Sequence, residues 1–265
     1  MTETEVVPPS RKASAGEKDY TFMKTINLME MLKAGVHFGH KKSLWNPKMA
    51  GYIYTTRNNI HILDLEKTKG KLTEALSFAR DVAARGGTVL FVGTKRQAKE
   101  EVRRAAESCS MPYVVTRWLG GTFTNFRTIQ RTIKKMEKYE KMIADGEIQK
   151  YTKKEQLMIS REVEKMKTFF SGIKDMKKLP DAIFVLDTKY DHIPVEEARQ
   201  SKVKVIGLVD TNSDPSKIDY MIPSNDDAIK VISYMTTVMA EAINEGRNQM
   251  QQTIMTQTEG AAVAK

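Results

Sequence analysis

The chain has 265 residues, a net charge of +10 and a single cysteine, enough for one sizeable α/β domain with an appendage or two modest domains. Cys109 alone excludes an intrachain disulfide and fits a reducing compartment, no apolar run reaches the roughly 18 residues of a membrane helix, and the N-terminus carries no apolar signal core, so a cytoplasmic protein without a membrane partner is expected. Residues 1–123 hold 20 Lys and Arg against 12 Asp and Glu, residues 124–178 hold 15 against 8, and residues 179–265 hold 8 against 13, which points to one polyanion-facing side and, by default, to nucleic acid.

Residues 1–25, rich in Thr, Glu, Pro, Ser and Lys and without hydrophobic periodicity, read as a flexible arm. From His37 to Lys48 cations, aromatics and amides interleave. Lys41, Lys42 and Lys48 offer charge to phosphates, Trp45 an aromatic face to a base or sugar, and Asn46 an amide donor; Tyr52, Tyr54 and Arg57 follow closely. Apolar, mostly β-branched runs at Ile60–Leu65, Thr88–Val92, Tyr113–Thr116, Ala182–Asp187, Val203–Val209 and Tyr220–Ile222 predict strands, most of them followed by a helical pattern. Strands apolar almost throughout are buried on both faces, and intervening helices let them lie parallel, which predicts a flavodoxin-like or Rossmann-like α/β sheet.

The turn after the second strand, Val92-Gly93-Thr94-Lys95-Arg96-Gln97, lacks the glycine spacing of either nucleotide-binding loop. Lys95 and Arg96, expected at a helix start, can still meet an isolated phosphate. In Arg117-Trp118-Leu119-Gly120-Gly121, Arg117 is a phosphate partner, and Trp118 is expected to pack in the core rather than stack on a base. From Thr124 to Phe170 the strand–helix alternation stops. Ile129, Ile133, Met136, Tyr139 and Ile143 form one apolar stripe; Ile159, Val163, Met166 and Phe170 form another. Asp145-Gly146 supplies a turn, and Thr152 with Glu155 a capping box.

This pattern predicts a protruding antiparallel coiled-coil hairpin over 124–172, inserted into a sheet domain built from 26–123 and 173–248. The competing reading is an ordinary helix pair packed on the sheet. Asn125, Arg127, Arg131, Lys134, Lys135, Lys138, Lys153 and Lys154 are its candidate RNA contacts. Residues 249–265, rich in Gln, Thr and Ala, read as a flexible tail.

No nucleophile with a matched base stands out, so no enzyme is expected. Cys109 reads as a small buried hydrophobe on a helix. Asp210 closes the fifth predicted strand and Asp226 and Asp227 open the last long helix, so all three share the rim at the carboxyl ends of a parallel sheet. With His40 or His37 folded over that rim, they make an N/O set suited to a structural zinc ion. The plainer alternative makes Asp226 a helix N-cap and Asp227 a first-turn acid. No cofactor is required.

Six motifs together resemble the bacterial small ribosomal subunit protein S-two family: Leu32-Lys33-Ala34-Gly35-Val36-His37-Phe38-Gly39-His40, Trp45-Asn46-Pro47-Lys48-Met49, Val92-Gly93-Thr94-Lys95-Arg96, Arg117-Trp118-Leu119-Gly120-Gly121, Lys178-Leu179-Pro180-Asp181-Ala182 and Val209-Asp210-Thr211-Asn212-Ser213-Asp214-Pro215. They stand in family order across about residues 28–248. The resemblance implies a flavodoxin-like domain with a coiled-coil hairpin, bound to small-subunit rRNA between head and body, neighbouring other small-subunit proteins and docking the S-one protein. It implies no small-molecule substrate. The N-terminal arm is longer than in the usual bacterial form. The rival from another class is a nucleotide-binding α/β enzyme, which lacks a phosphate cradle here; a free RNA chaperone would share the basic patches and differ in residence.

Overall fold

A computed structural model describes residues 26–263, with the backbone alone for residues 254–263. The arm expected over residues 1–25 lies outside the described residues. Helix α1 (Leu28–Ala34) leads into a three-stranded antiparallel sheet of β1 (Phe38–Lys41), β2 (Ile53–Arg57) and β3 (Ile60–Leu63), ordered β1-β3-β2. Asn58 and Asn59 close the β2–β3 hairpin with φ of 51° and 60°. A two-residue turn of this kind needs positive φ at both central positions, which Asn tolerates.

Helix α2 (Leu65–Ala84) then crosses to a five-stranded sheet whose neighbours all pair parallel: β4 (Val89–Val92), β5 (Tyr113–Val114), β6 (Ala182–Val185), β7 (Lys204–Val209) and β8 (Tyr220–Pro223), in the order β5-β4-β6-β7-β8. Counted within this sheet, that is the 2-1-3-4-5 order of flavodoxin-like doubly wound folds. Helices α3 (Lys99–Ser108), α4 (Phe126–Ala144), α5 (Lys153–Phe170), α6 (His192–Gln200) and α7 (Ile229–Val263) complete the chain.

Residues alternate between the two faces along each central strand, and both faces are covered. Phe91, Phe184, Ile206 and Leu208 face a layer that includes Leu72 and Leu76 of α2, Val102 of α3, and Ile232 and Met235 of α7. Leu90, Val92, Ile183, Val185 and Val205 face the opposite layer, with Ile129 and Ile133 of α4, Val163, Met166 and Phe170 of α5, and Val195 of α6. Each such side chain, fully buried, contributes about 1.5–3 kcal/mol.

Three expectations are corrected and two strands are added. The run predicted as a strand over Ile60–Leu65 belongs to the antiparallel sheet, and its last residue opens α2, capped by Asp64, whose carboxylate accepts from the amides of Glu66 and Lys67. Strands β1 and β2 were not foreseen, because His, Lys, Tyr and Thr on a largely exposed sheet give no apolar pattern. Helix α3 begins at Lys99, so Lys95 and Arg96 sit in the loop before it rather than at its start. The backbone after Gln249, expected to be a flexible tail, continues α7 to Val263.

The apolar stripes of α4 and α5 divide. Ile129, Ile133 and Met136 of α4 and Val163, Met166 and Phe170 of α5 are buried in the core, Tyr139 and Ile159 are half-buried against it, and Ile143 at the far end is exposed. Gly146, at φ +73°, turns the chain between the helices, and the Thr152–Glu155 capping box starts α5 as its sequence specifies. Among the described residues no helix is long and apolar enough to cross a membrane.

Candidate nucleic-acid interface and metal centre

The antiparallel sheet lies over the carboxyl-end rim of the parallel one, and Thr211, just after β7, fastens it there. The Thr211 hydroxyl accepts from the His40 amide at 2.8 Å, and its carbonyl accepts from the Asn46 amide at 2.7 Å. A Cβ built on Gly39 would lie 2.6 Å from the Thr211 methyl, so only glycine permits this approach. Met49 and Leu63 seal the join against Val209.

On the outer side of this sheet Lys41, Lys42 and Arg57 are exposed and make no ion pair with any described residue. Trp45, 36% exposed, lies with its ring 5.4 Å from that of buried His61, and Tyr54 stands almost free. Two other candidates are partly spent on structure. The Asn46 side-chain Oδ1 caps the turn at Pro47–Tyr52 by accepting from the Lys48 amide. Lys48 is bound to Asp214 at 2.8 Å and to the Ser216 hydroxyl, and its hydrogen bond holds the Asp214 carboxyl down at about 2.

A second group of cations lies along α4 and α5 and the turn before them. Arg117, Arg127, Arg131, Lys134, Lys138, Lys153 and Lys154 are exposed, as is the Asn125 side chain. Lys135 is paired with Glu162 at 2.7 Å, a contact that crosses between the two helices. Trp118 is buried, as expected, and its indole N–H donates to Glu197.

Glu197 of α6 was invisible to sequence reasoning. Its buried carboxylate also accepts from the amides of Gly121 (2.8 Å), Phe123 (2.9 Å) and Thr124 (3.2 Å). Burial opposes its charge, but these donors win and hold the carboxyl below its ordinary range. No motif announces it; the Gly120-Gly121 turn, whose amides need an acceptor, is the only signal.

The rim itself is acidic. At the switch point between β4 and β6, where doubly wound sheets bind nucleotides, the amide and hydroxyl of Thr94 donate to Asp191 at 3.1 and 2.6 Å. That carboxylate takes the hydrogen bonds a nucleotide phosphate would need. Lys95 points inward, with Nζ 3.0 Å from Asp187, 3.3 Å from Asp226 and 2.6 Å from Asp227. Burial pulls the Lys95 ammonium down, but the three carboxylates outweigh it and raise it. Arg96 stays exposed.

His40 completes the cluster from β1. Its Nδ1 lies 3.0 Å from Asp210 Oδ2 and its Nε2 3.5 Å from Asp227 Oδ2. The Asp210 carboxylate beside it raises the imidazole against the pull of burial. Asp226, 2% exposed, is pushed up to about 7 by burial and by the charges of Asp187 and Asp210. His37 takes no part: its ring lies against Phe38.

The plainer account of the two last acids does not hold. α7 has no acid in its first turn, and the amides of Asp227 and Ala228 are taken by the side chain of Asn225. His40, Asp210 and Asp226 each offer a ligand atom, all within 4.8 Å of one another. Asp210 is 1% exposed, and its Oδ2 faces the His40 Nδ1 at 3.0 Å. One imidazole with two carboxylates is a borderline N/O set that fits zinc.

The sequence profile of the family described as Ribosomal protein S2 matches residues 31–246, which takes in the antiparallel sheet, the parallel sheet, both long helices between β5 and β6, and the acidic rim. The chain therefore belongs to the ribosomal protein S2 family, structural proteins of the small ribosomal subunit.

Proposed function

We propose that this protein holds small-subunit rRNA through two basic surfaces, the outer side of the antiparallel sheet and the cations along α4 and α5, and contributes no catalysis. One observation carries this reading: unpaired cations stand outward on these two surfaces, while several acids of the rear third are drawn into the rim and matched there by Lys95 and His40. In this reading the exposed far ends of α4 and α5 project as a coiled-coil hairpin between RNA segments, and phosphate contacts fix register without reading bases. Lys95 serves as an internal countercharge rather than as an RNA contact. Docking of the S-one protein, and a place on the cytoplasmic ribosome, follow from the family resemblance.

The test is reincorporation into small subunits stripped of this protein. Charge reversal at Lys134, Lys138 and Lys153 should weaken it at least tenfold at moderate salt, as loss of several phosphate contacts requires. Unchanged incorporation would remove the helices from the interface.

A second proposal rests on the convergence of three ligand atoms within 4.8 Å of one another: His40, Asp210 and Asp226, with Asp227 at the edge, hold a zinc ion that staples the antiparallel sheet to the rim. Metal analysis before and after chelation should give one zinc per chain, and restoring zinc at a hundredfold excess over its dissociation constant should stabilise the fold by about 2.7 kcal/mol. A chain that purifies without stoichiometric metal and melts identically with added zinc would end that proposal.

A further inference from the structure

The rear third of the chain, residues 179–265, is acidic in total, yet the fold builds a basic cleft from it. The end of α6, the start of β7 and the turn at Pro215–Lys217 border an open cleft of about 390 Å³ lined by Arg199, Lys202, Lys204 and Lys217, with Asp219 the one carboxylate on its wall among the described residues. Lys204 is spent on Asp219 at 2.7 Å and Lys217 on Glu196 at 2.9 Å. Arg199 and Lys202 are exposed and have no ion pair with any described residue. Lys202 is held out at the turn after α6 by a left-handed backbone, φ +58°.

The cleft also continues an existing surface. Ser216, on its wall, accepts from Lys48 at 2.7 Å, and Lys48 belongs to the segment that carries Trp45 and Lys42. The Lys48 segment of the antiparallel sheet thus meets the wall of the cleft at Ser216, where Lys48 also neutralises Asp214.

We infer that this cleft receives an RNA sugar-phosphate backbone, extending the antiparallel-sheet interface across a part of the molecule whose sequence is acidic. The inference rests on the RNA-binding reading above and names a third surface for it. Two cations without a direct ion pair beside two paired ones suit a pair of phosphates, because the paired lysines can exchange a carboxylate for a phosphate while Arg199 and Lys202 break no direct ion pair on binding.

The experiment measures the affinity of the full-length chain for small subunits stripped of it, as a function of salt. Arg199→Gln with Lys202→Asn removes both free cations; Asn tolerates the left-handed position. The slope of log affinity on log salt should shrink in magnitude by about 1.4–1.8, from about 0.7–0.9 per phosphate lost, with an unchanged melting temperature. Lys217→Gln alone, on a separate element, should act in the same direction with a smaller change. A double variant with the parental slope and affinity overturns the cleft, even while Lys41→Glu with Lys42→Glu still weakens binding. Failure of the unaltered chain to bind with any salt dependence would instead overturn the RNA reading itself, and the cleft with it.

Discussion

Glu197 places a carboxylate inside a basic protein, and it survives there because five groups of the Trp118–Thr124 turn donate to it. Hydrogen bonds to a charged acceptor contribute about 1.5–3 kcal/mol each in favourable cases, and orphaned buried donors cost a similar amount. Glu197→Gln turns one acceptor oxygen into a donor facing other donors. It should lower stability by roughly 2–4 kcal/mol, read as an earlier denaturation midpoint with unchanged slope. Because the native carboxyl is held below its ordinary range, the contribution is complete above the unfolded value of about 4.3 and is lost as pH falls further. The stability gap between the parent and Glu197→Gln should therefore narrow in acid; a gap independent of pH between 3 and 7 would show that packing, not charge, sets the cost.

At the scale of elements, the join between the two sheets decides whether the cations of the antiparallel sheet have a fixed direction. Gly39 is its tightest point, with Thr211 where a Cβ would stand and the His61 carbonyl 3.1 Å from the same position. Gly39→Ala should push β1 off Thr211, costing about 1–3 kcal/mol as overpacking does and displacing His40 from Asp210. Amide exchange should quicken in β1 and β3 while the parallel strands stay protected. Equal protection in both sheets would mean that the join yields at no cost. The α4–α5 pair behaves differently, since only its near half is bound into the core. Its far half depends on local devices, the Gly146 turn and the Thr152 cap, because a short isolated helical segment is marginal by itself.

For the whole molecule, Cys109 reports global unfolding. It is buried at the end of α3, and burial pushes its thiol up to about 11. Thiolate is the reactive form, so a maleimide at pH 8 should label the folded chain at the rate of its opening and the unfolded chain at once. Rapid labelling under native conditions would show that α3 opens independently of the sheet. Since the folded thiol binds its proton more tightly than the unfolded one, the stability it confers declines as pH rises from about 9 toward 11.

Periodicity along the chain sufficed for the parallel strands, for α4 and α5 and for the cap at Thr152, since burial on both faces and the 3.6-residue repeat are local signals. Family motifs sufficed for the assignment. The antiparallel sheet escaped because half-exposed polar strands carry no apolar alternation, and only the Asn58-Asn59 turn hinted at it. His40, Asp210 and Asp226 could be named in advance as residues at one rim, but not that Lys95 would turn inward to join them or that Asp191 would close the nucleotide crevice. Glu197, and the gathering of Arg199, Lys202, Lys204 and Lys217 into one basic cleft, were set by tertiary structure alone. Charge summed along a chain is a property of composition, whereas the field a partner meets depends on which charges the fold neutralises against one another and which it leaves facing water.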